Sequence, residues 1–214
     1  LEVIDIDVPQ PGKYGALVKI LASGICGTDM KIIHGRLKGF SAYPGLLGHE
    51  AVGEVVEVGG AVTRFKPGDR VLLPYLHGKV NGYTPIHGGF SEYGIVHDWQ
   101  AMKKDGMGPG TPDFNDFFYT QKVIPKSFDP VSSVMIVTLR EVLAATRQFG
   151  FRANQNIVIF GGGPVGLAFT KFAQILGMGP IILVDVLDEK REEALNAGAD
   201  YFINSKKQDL VEVV

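Results

Sequence analysis

The chain has one cysteine, Cys26, among its 214 residues. No intrachain disulfide can form, and a free thiol fits a reducing, cytoplasmic compartment. Charge of either sign is not in excess: 21 basic residues stand against 23 acidic ones, a formal net charge of −2. Lys and Arg nowhere run beyond a pair, so the electrostatic footprint of a nucleic-acid binder is missing. No apolar run approaches the ~20 residues that span a bilayer, and Leu1 to Val8 mixes acids with apolar residues instead of forming a signal peptide. Neither nucleic acid nor a membrane is expected as a partner. The 45% of hydrophobic residues is enough to bury one or two cores, which argues against disorder.

Two patterns divide the chain. Up to about Ile124, short alternating β-branched runs are split by Gly and Pro: Ala16 to Ile25, Ala51 to Val58, Arg70 to Tyr75 and Phe90 to Val96. Such runs predict a β-rich, barrel-like domain over residues 1–130. From residue 131 to 214 the period becomes that of alternating helices and strands. A helix over Ser132 to Phe149 is followed by a strand (Asn156 to Phe160), a helix (Pro164 to Leu176), a strand (Ile181 to Asp185), a helix (Asp188 to Ala197) and a short strand (Tyr201 to Ile203). That order is βαβαβ, one mononucleotide-binding half of a doubly wound sheet. Asp98 to Tyr119 fits neither pattern. Its Gly, Pro and Asp place it on the surface, while Trp99, Phe114, Phe117, Phe118 and Tyr119 need something to pack on. The two ends, a strand-like Leu1 to Val8 and an amphipathic Leu210 to Val214, resemble cuts. The expectation is a fragment, itself inactive, with order fading toward Val214.

Gly161-Gly162-Gly163-Pro164-Val165-Gly166 fits G-x-G-x-x-G between an apolar strand and a helix. Gly161 permits the sharp turn, Gly163 a close approach of backbone to pyrophosphate, and Gly166 tight helix packing. The helix start offers unpaired N–H groups to phosphates, and Pro164 costs nothing in its first turn. Asp185 closes the next strand near the spacing expected of the acid that binds the adenosine ribose. A carboxylate there repels a 2′-phosphate, and Val186 and Leu187 bring no cation, so NAD is expected over NADP. The plainer alternative is that Asp185 caps the following helix.

Cys26, His49 and Glu50 carry thiolate, imidazole and carboxylate, the usual donors to zinc. Singly, each has an ordinary explanation as a core or surface residue. Their surroundings are more specific: Gly24-Ile25-Cys26-Gly27-Thr28-Asp29, then Gly48-His49-Glu50, Gly68-Asp69-Arg70-Val71 and Gly88-Gly89-Phe90-Ser91-Glu92-Tyr93. With the glycine fingerprint, Asp185 and Gly198-Ala199-Asp200, this ordered series resembles the zinc-containing medium-chain dehydrogenase/reductase superfamily over nearly the whole chain.

That resemblance implies a GroES-like β-barrel catalytic domain joined to a partial Rossmann domain, with an active site in the cleft between them. It implies Cys26, His49 and Glu50 as ligands of one catalytic zinc, and Thr28 as the start of a proton relay from the substrate oxygen. The expected reaction is hydride transfer between NAD and an alcohol, a polyol or secondary alcohol or a sugar-like molecule, in a protein that is a homo-oligomer at full length. Asp29 is expected to orient His49 or its loop, and His34, His77 and His87 to be surface histidines. The alternatives are a zinc-free, quinone-reductase-like relative and a non-catalytic nucleotide binder.

Three departures accompany the resemblance. No cysteine lies between Leu72 and His87, so the family's structural-zinc lobe is expected to be absent. A further catalytic ligand falls on Val137 by a gapless count, with Glu141 reachable only by a shift of about one helical turn. The stretch from Glu92 to Pro125 exceeds the family's spacing, and a loop of that length is either functional or a surface excursion.

Overall fold

The structure, a computed structural model, describes residues 1–39 and 41–209. The expectations for Leu210 to Val214 lie outside the described residues. The chain divides into two compact units, Leu1–Val137 and Thr138–Val214.

The first unit is built on β1 (Gly15–Gly24), β2 (Gly45–Leu46), β3 (Glu50–Val58), β4 (Arg70–Leu72), β5 (Thr84–Pro85), β6 (Tyr93–His97) and β7 (Val123–Ile124). Five of these strands form an antiparallel sheet in the order β6-β1-β3-β4-β7, and β2 pairs with β5 separately. Ala16, Val18, Val55, Val71 and Val96 bring their side chains together with Phe65 in one buried cluster, the burial that alternating β-branched runs supply. β4 is shorter than its apolar run because Leu73 adopts a left-handed φ of 57°, where a ladder cannot continue. Beyond that kink, Tyr75 and Ile95 exchange backbone hydrogen bonds of 3.1 and 2.8 Å. The expected barrel is therefore a sheet whose pairing returns on itself at a single bridge. Leu1 to Val8 forms no strand, and Leu1 and Val3 are fully exposed. Alternation alone makes no strand where no neighbour receives its hydrogen bonds.

Three helices complete this unit: α1 (Gly27–Ile33), α2 (Trp99–Lys104) and α3 (Pro130–Ser133). The helix expected over Ser132 to Phe149 is two, α3 and α4 (Met135–Gln148). Asp129 caps α3 by accepting from the Ser132 N–H at 2.8 Å. α3 packs on β1 and β3, and Val134 and Val137 join Val52, Leu72, Leu73 and Ile124 in a second core, which carries the first unit as far as Val137.

The second unit contains β8 (Ile157–Phe160), α5 (Pro164–Ile175), β9 (Ile181–Asp185), α6 (Lys190–Ala197) and β10 (Tyr201–Asn204). Its strands are parallel in the order β10-β9-β8. Ile159, Ile181, Leu183 and Phe202 meet Ala173 and Ala194 of the helices in its core. Gly198, at φ 112°, ends α6 in the left-handed conformation glycine favours. No helix of the described residues is long and apolar enough to cross a membrane.

The segment from Asp98 to Tyr119 is ordered around a buried carboxylate. Asp98 accepts from the Thr63 and Arg64 N–H groups at 2.7 and 2.9 Å, from the Thr63 hydroxyl at 2.9 Å, and from the Gln100 and Ala101 N–H groups at 3.1 and 3.0 Å. Burial pushes its pKa up, but these donors outweigh it and hold it below the ordinary value of 3.8. Its contribution to stability is thus present above that ordinary value and is lost as pH falls through the lower folded-state value. Asp98→Asn turns amide hydrogens toward N–H donors and should cost about 2–4 kcal/mol at neutral pH. Urea unfolding across pH 2 to 7 should also show a shallower acid loss in the variant, and an identical pH profile would refute the anchoring role.

Candidate metal centre and dinucleotide turn

Cys26 occupies the N-cap of α1, where the chain is still extended. Its N–H donates to Asp29 Oδ2 at 2.9 Å, while the Asp29 N–H donates to the Cys26 carbonyl at 3.0 Å. Asp29 is completely buried. Its other oxygen, Oδ1, accepts from the Gly48 N–H at 3.3 Å and lies 3.3 Å from His49 Nδ1. One carboxylate thus fastens the cysteine cap to the histidine turn. Gly48 has φ 93°, and a Cβ there would stand 2.5 Å from the Phe90 nitrogen. Only glycine suits that position, because the Gly89 N–H also donates to the Gly48 carbonyl at 2.7 Å.

Glu50 opens β3 and pairs with Gly24 at the end of β1. A Cβ on Gly24 would lie 2.7 Å from Glu50 Oε2 and 2.8 Å from the Val134 side chain, so a bare backbone there leaves space for the carboxylate. A helix cap, a turn and a strand start thereby converge. Donor atoms of Cys26, His49 and Glu50 all lie within 4.8 Å of one another, each residue half-buried. Sulfur, nitrogen and oxygen donors at that spacing fit zinc. Among the described residues no other group of three such donors is as close. With Nδ1 turned to Asp29, Nε2 is the His49 nitrogen left for a metal, the arrangement in which an outer carboxylate fixes a ligating imidazole. Thr28 follows Cys26 by two residues on α1 and is half-buried. Val137 is buried in the second core of the first unit and has no donor atom, while Glu141 is exposed on the part of α4 in the second unit. The triad is assembled from the first unit alone.

His34 and His77 are exposed, as expected, but His87 is half-buried. Its ring centre is 6.4 Å from that of His49, and Phe117 covers it at 4.5 Å. Burial, and secondarily His49, lowers the His87 pKa. His97, which sequence reading did not single out, stacks on Phe118 at 4.3 Å with rings 17° apart. Burial, then His77, lowers its pKa to about 4. Tyr75 joins both histidines, with ring centres 6.3 and 5.9 Å away. The available signal was the aromatic run from Phe114 to Tyr119, which required a packing partner without naming it.

In the second unit, Gly161 has φ 100°, and a Cβ at Gly166 would collide with the Gly161 carbonyl. Nothing lies within 4 Å of a Cβ at Gly163, the N-cap of α5, so the turn presents open backbone. Pro164 takes the first helical position and Val165 is about half exposed. Asp185 ends β9 and accepts from the Gly162 N–H at 2.6 Å, and from the Val186 and Leu187 N–H groups at 2.6 and 2.9 Å. The Gly162 bond, foremost, holds its pKa below the usual carboxylate value, so it is charged at neutral pH. The cap position of α6 is Glu189, with no side-chain bond. Asp185 binds back to the glycine turn instead of capping that helix.

The model of the alcohol dehydrogenase GroES-like domain matches residues 12–106, and that of the zinc-binding dehydrogenase matches residues 164–214. The chain belongs to the zinc-containing medium-chain dehydrogenases. It is 31% identical to an L-threonine 3-dehydrogenase of Pyrococcus horikoshii, over all of this chain and 61% of that protein. It therefore spans about three fifths of that relative's length. A Sinorhizobium meliloti 1021 zinc-binding dehydrogenase structure bound to NADP shares 29% identity at a TM-score of 0.76, covering 97% of this chain and 59% of the other. An alcohol dehydrogenase structure from Escherichia coli CFT073 in complex with NADH shares 26% identity at a TM-score of 0.74, covering 97% and 60%.

If Asp29 sets the spacing of the triad, Asp29→Ala should weaken zinc affinity roughly 10–100-fold. Gly24→Ala, which crowds the Glu50 carboxylate from the other side, should weaken it as well. Competition with a zinc-indicating dye reads both variants, and affinities equal to that of the unaltered chain would show that neither residue positions the donors.

Proposed function

We propose that this chain carries the metal centre and the adenosine-binding turn of a zinc-dependent oxidoreductase that transfers hydride between an alcohol and NAD. The convergence of Cys26, His49 and Glu50 on one point, with Asp29 behind them, carries this reading. Residues 1–130 supply the metal chemistry and residues 131–214 the first half of the nucleotide site. A single zinc is expected, since Cys26 is the only cysteine in the chain and a four-cysteine structural site has no ligands. With no second cysteine in the sequence to pair with, Cys26 also favours a reducing, cytoplasmic setting.

Zinc held by Cys26, His49 and Glu50 supplies a Lewis acid that makes a substrate hydroxyl easier to deprotonate. Thr28 Oγ1, two residues from Cys26, receives the hydroxyl proton and passes it toward solvent. Glu50 would add a carboxylate donor beside the Cys26 sulfur, which would limit the positive charge of a loaded centre. In the second unit, the N–H groups of Gly163 and of Val165 and Gly166 in the first turn of α5 receive a pyrophosphate, while the Gly162 N–H is held by Asp185. Asp185 accepts hydrogen bonds from the adenosine ribose hydroxyls. NAD is preferred because a charged Asp185 repels a 2′-phosphate; solved relatives bind either cofactor, so the fold does not decide the choice.

Cys26→Ser should remove most of the bound zinc, measured by metal analysis, and abolish NAD-linked oxidation of secondary alcohols or polyols by the whole protein. A variant that kept its full zinc content would sink the ligand assignment. Asp185→Ser should weaken NAD binding and narrow the gap between NAD and NADP in isothermal titration. Tighter binding of NADP than NAD by the unaltered protein would contradict the role given to Asp185.

A further inference from the structure

A cavity of about 470 Å³ lies in the first unit, with His87 in its wall. That volume is in the range of small-molecule sites. The same His87 has its ring centre 6.4 Å from that of the metal-donor His49, so the cavity begins one side chain away from the triad. Its walls are of two kinds. Tyr75, Leu76, Pro85 and Ile86 give an apolar floor, while His77, Lys79 and Asn115 bring hydrogen-bond donors. Among the described residues no acidic side chain lines it, and Lys79 is the one lining side chain with a fixed charge. The Lys79 ammonium is in no ion pair with a carboxylate of the described residues. His87 Nδ1 is buried without a hydrogen-bond partner, and burial keeps the His87 ring neutral. Asn115 belongs to the long aromatic segment, and the next residues reach the same wall: Phe117 packs on His87 and on Tyr75, with ring centres 4.5 and 5.0 Å apart. The segment from Asp98 to Tyr119 thus builds part of this cavity.

We propose that the cavity receives an anionic tail, a carboxylate or a phosphate, on the alcohol whose hydroxyl end meets the triad; this rests on the dehydrogenase reading above. The carbon chain lies on the Tyr75–Ile86 floor, where apolar burial favours it, and the anion meets Lys79 and Asn115. A neutral alcohol of the same length gains the floor but not the charge interaction. A unit charge pair at contact in a partly screened cavity is worth roughly a tenfold change in affinity.

The test is binding to the zinc-loaded chain, followed by the imidazole NMR signals of His77 and His87. Glycerol 3-phosphate is compared with glycerol, and 4-hydroxybutanoate with butane-1,4-diol, so phosphate and carboxylate are read separately. At least one anionic probe should bind roughly tenfold tighter than its neutral partner and move both histidine signals, and Lys79→Met should erase that preference. Equal affinities within both pairs, or a preference that survives Lys79→Met, would overturn the proposal. So would inorganic phosphate binding as tightly as glycerol 3-phosphate, since the anion would then have no link to an alcohol end. Metal analysis of the same samples separates the two layers: a chain that takes up no zinc defeats the dehydrogenase reading itself, whereas zinc uptake without anion preference defeats only the tail.

Discussion

The buried carboxylate of Asp29 is the constraint on which the candidate metal centre depends. Cys26 and His49 are far apart in sequence, on a helix cap and on a turn, and neither element has intrinsic reason to face the other. Asp29 joins them by accepting from the Cys26 and Gly48 N–H groups and standing beside His49 Nδ1. A fully buried carboxylate is costly unless each oxygen is satisfied, so the arrangement is stable only when both loops are in place. Burial turns a flexible convergence into a fixed one, and it selects which imidazole nitrogen is free to bind metal.

The same device recurs elsewhere. Asp98 binds the Thr63 and Arg64 backbone to the start of the aromatic segment, and Asp185 binds the end of β9 to the glycine turn. In each case one carboxylate collects N–H groups from a loop distant in sequence, and for Asp98 and Asp185 those donors keep the acid charged. Elements that ordinary sheet and helix bonding would leave independent are thereby set in register. On the proposed function this matters most where loops would carry the chemistry, as at the Cys26 cap, the His49 turn and the Gly161–Gly166 turn.

Much of this was legible in the sequence because its signals are local. The glycine pattern required a turn at Gly161, and the φ of 100° there is the backbone that pattern implies. β9 has the bounds its apolar run suggested, and Cys26, His49 and Glu50 are neighbours as the motifs around them implied. What escaped the sequence depends on contacts between distant segments. Nothing local marks Leu73 for a left-handed turn, so β4 seemed longer than it is. The alternation of Leu1 to Val8 carried no information on whether a partner strand exists. His87 looked like a surface residue because its cover, Phe117, lies in an irregular segment whose path no periodicity foretells. The partners of those aromatics were histidines and Tyr75, polar residues that a hydrophobic pattern does not count as core.

The most direct test of the role given to Asp29 is the protonation pattern of the His49 imidazole, read by long-range proton–nitrogen NMR with and without zinc. A carboxylate fixed beside Nδ1 requires that Nδ1 keep its proton in the zinc-loaded protein while Nε2 shifts as the metal ligand. A proton on Nε2, with Nδ1 shifted by zinc, would mean that Asp29 does not set the orientation of His49 and that the centre is organised in some other way.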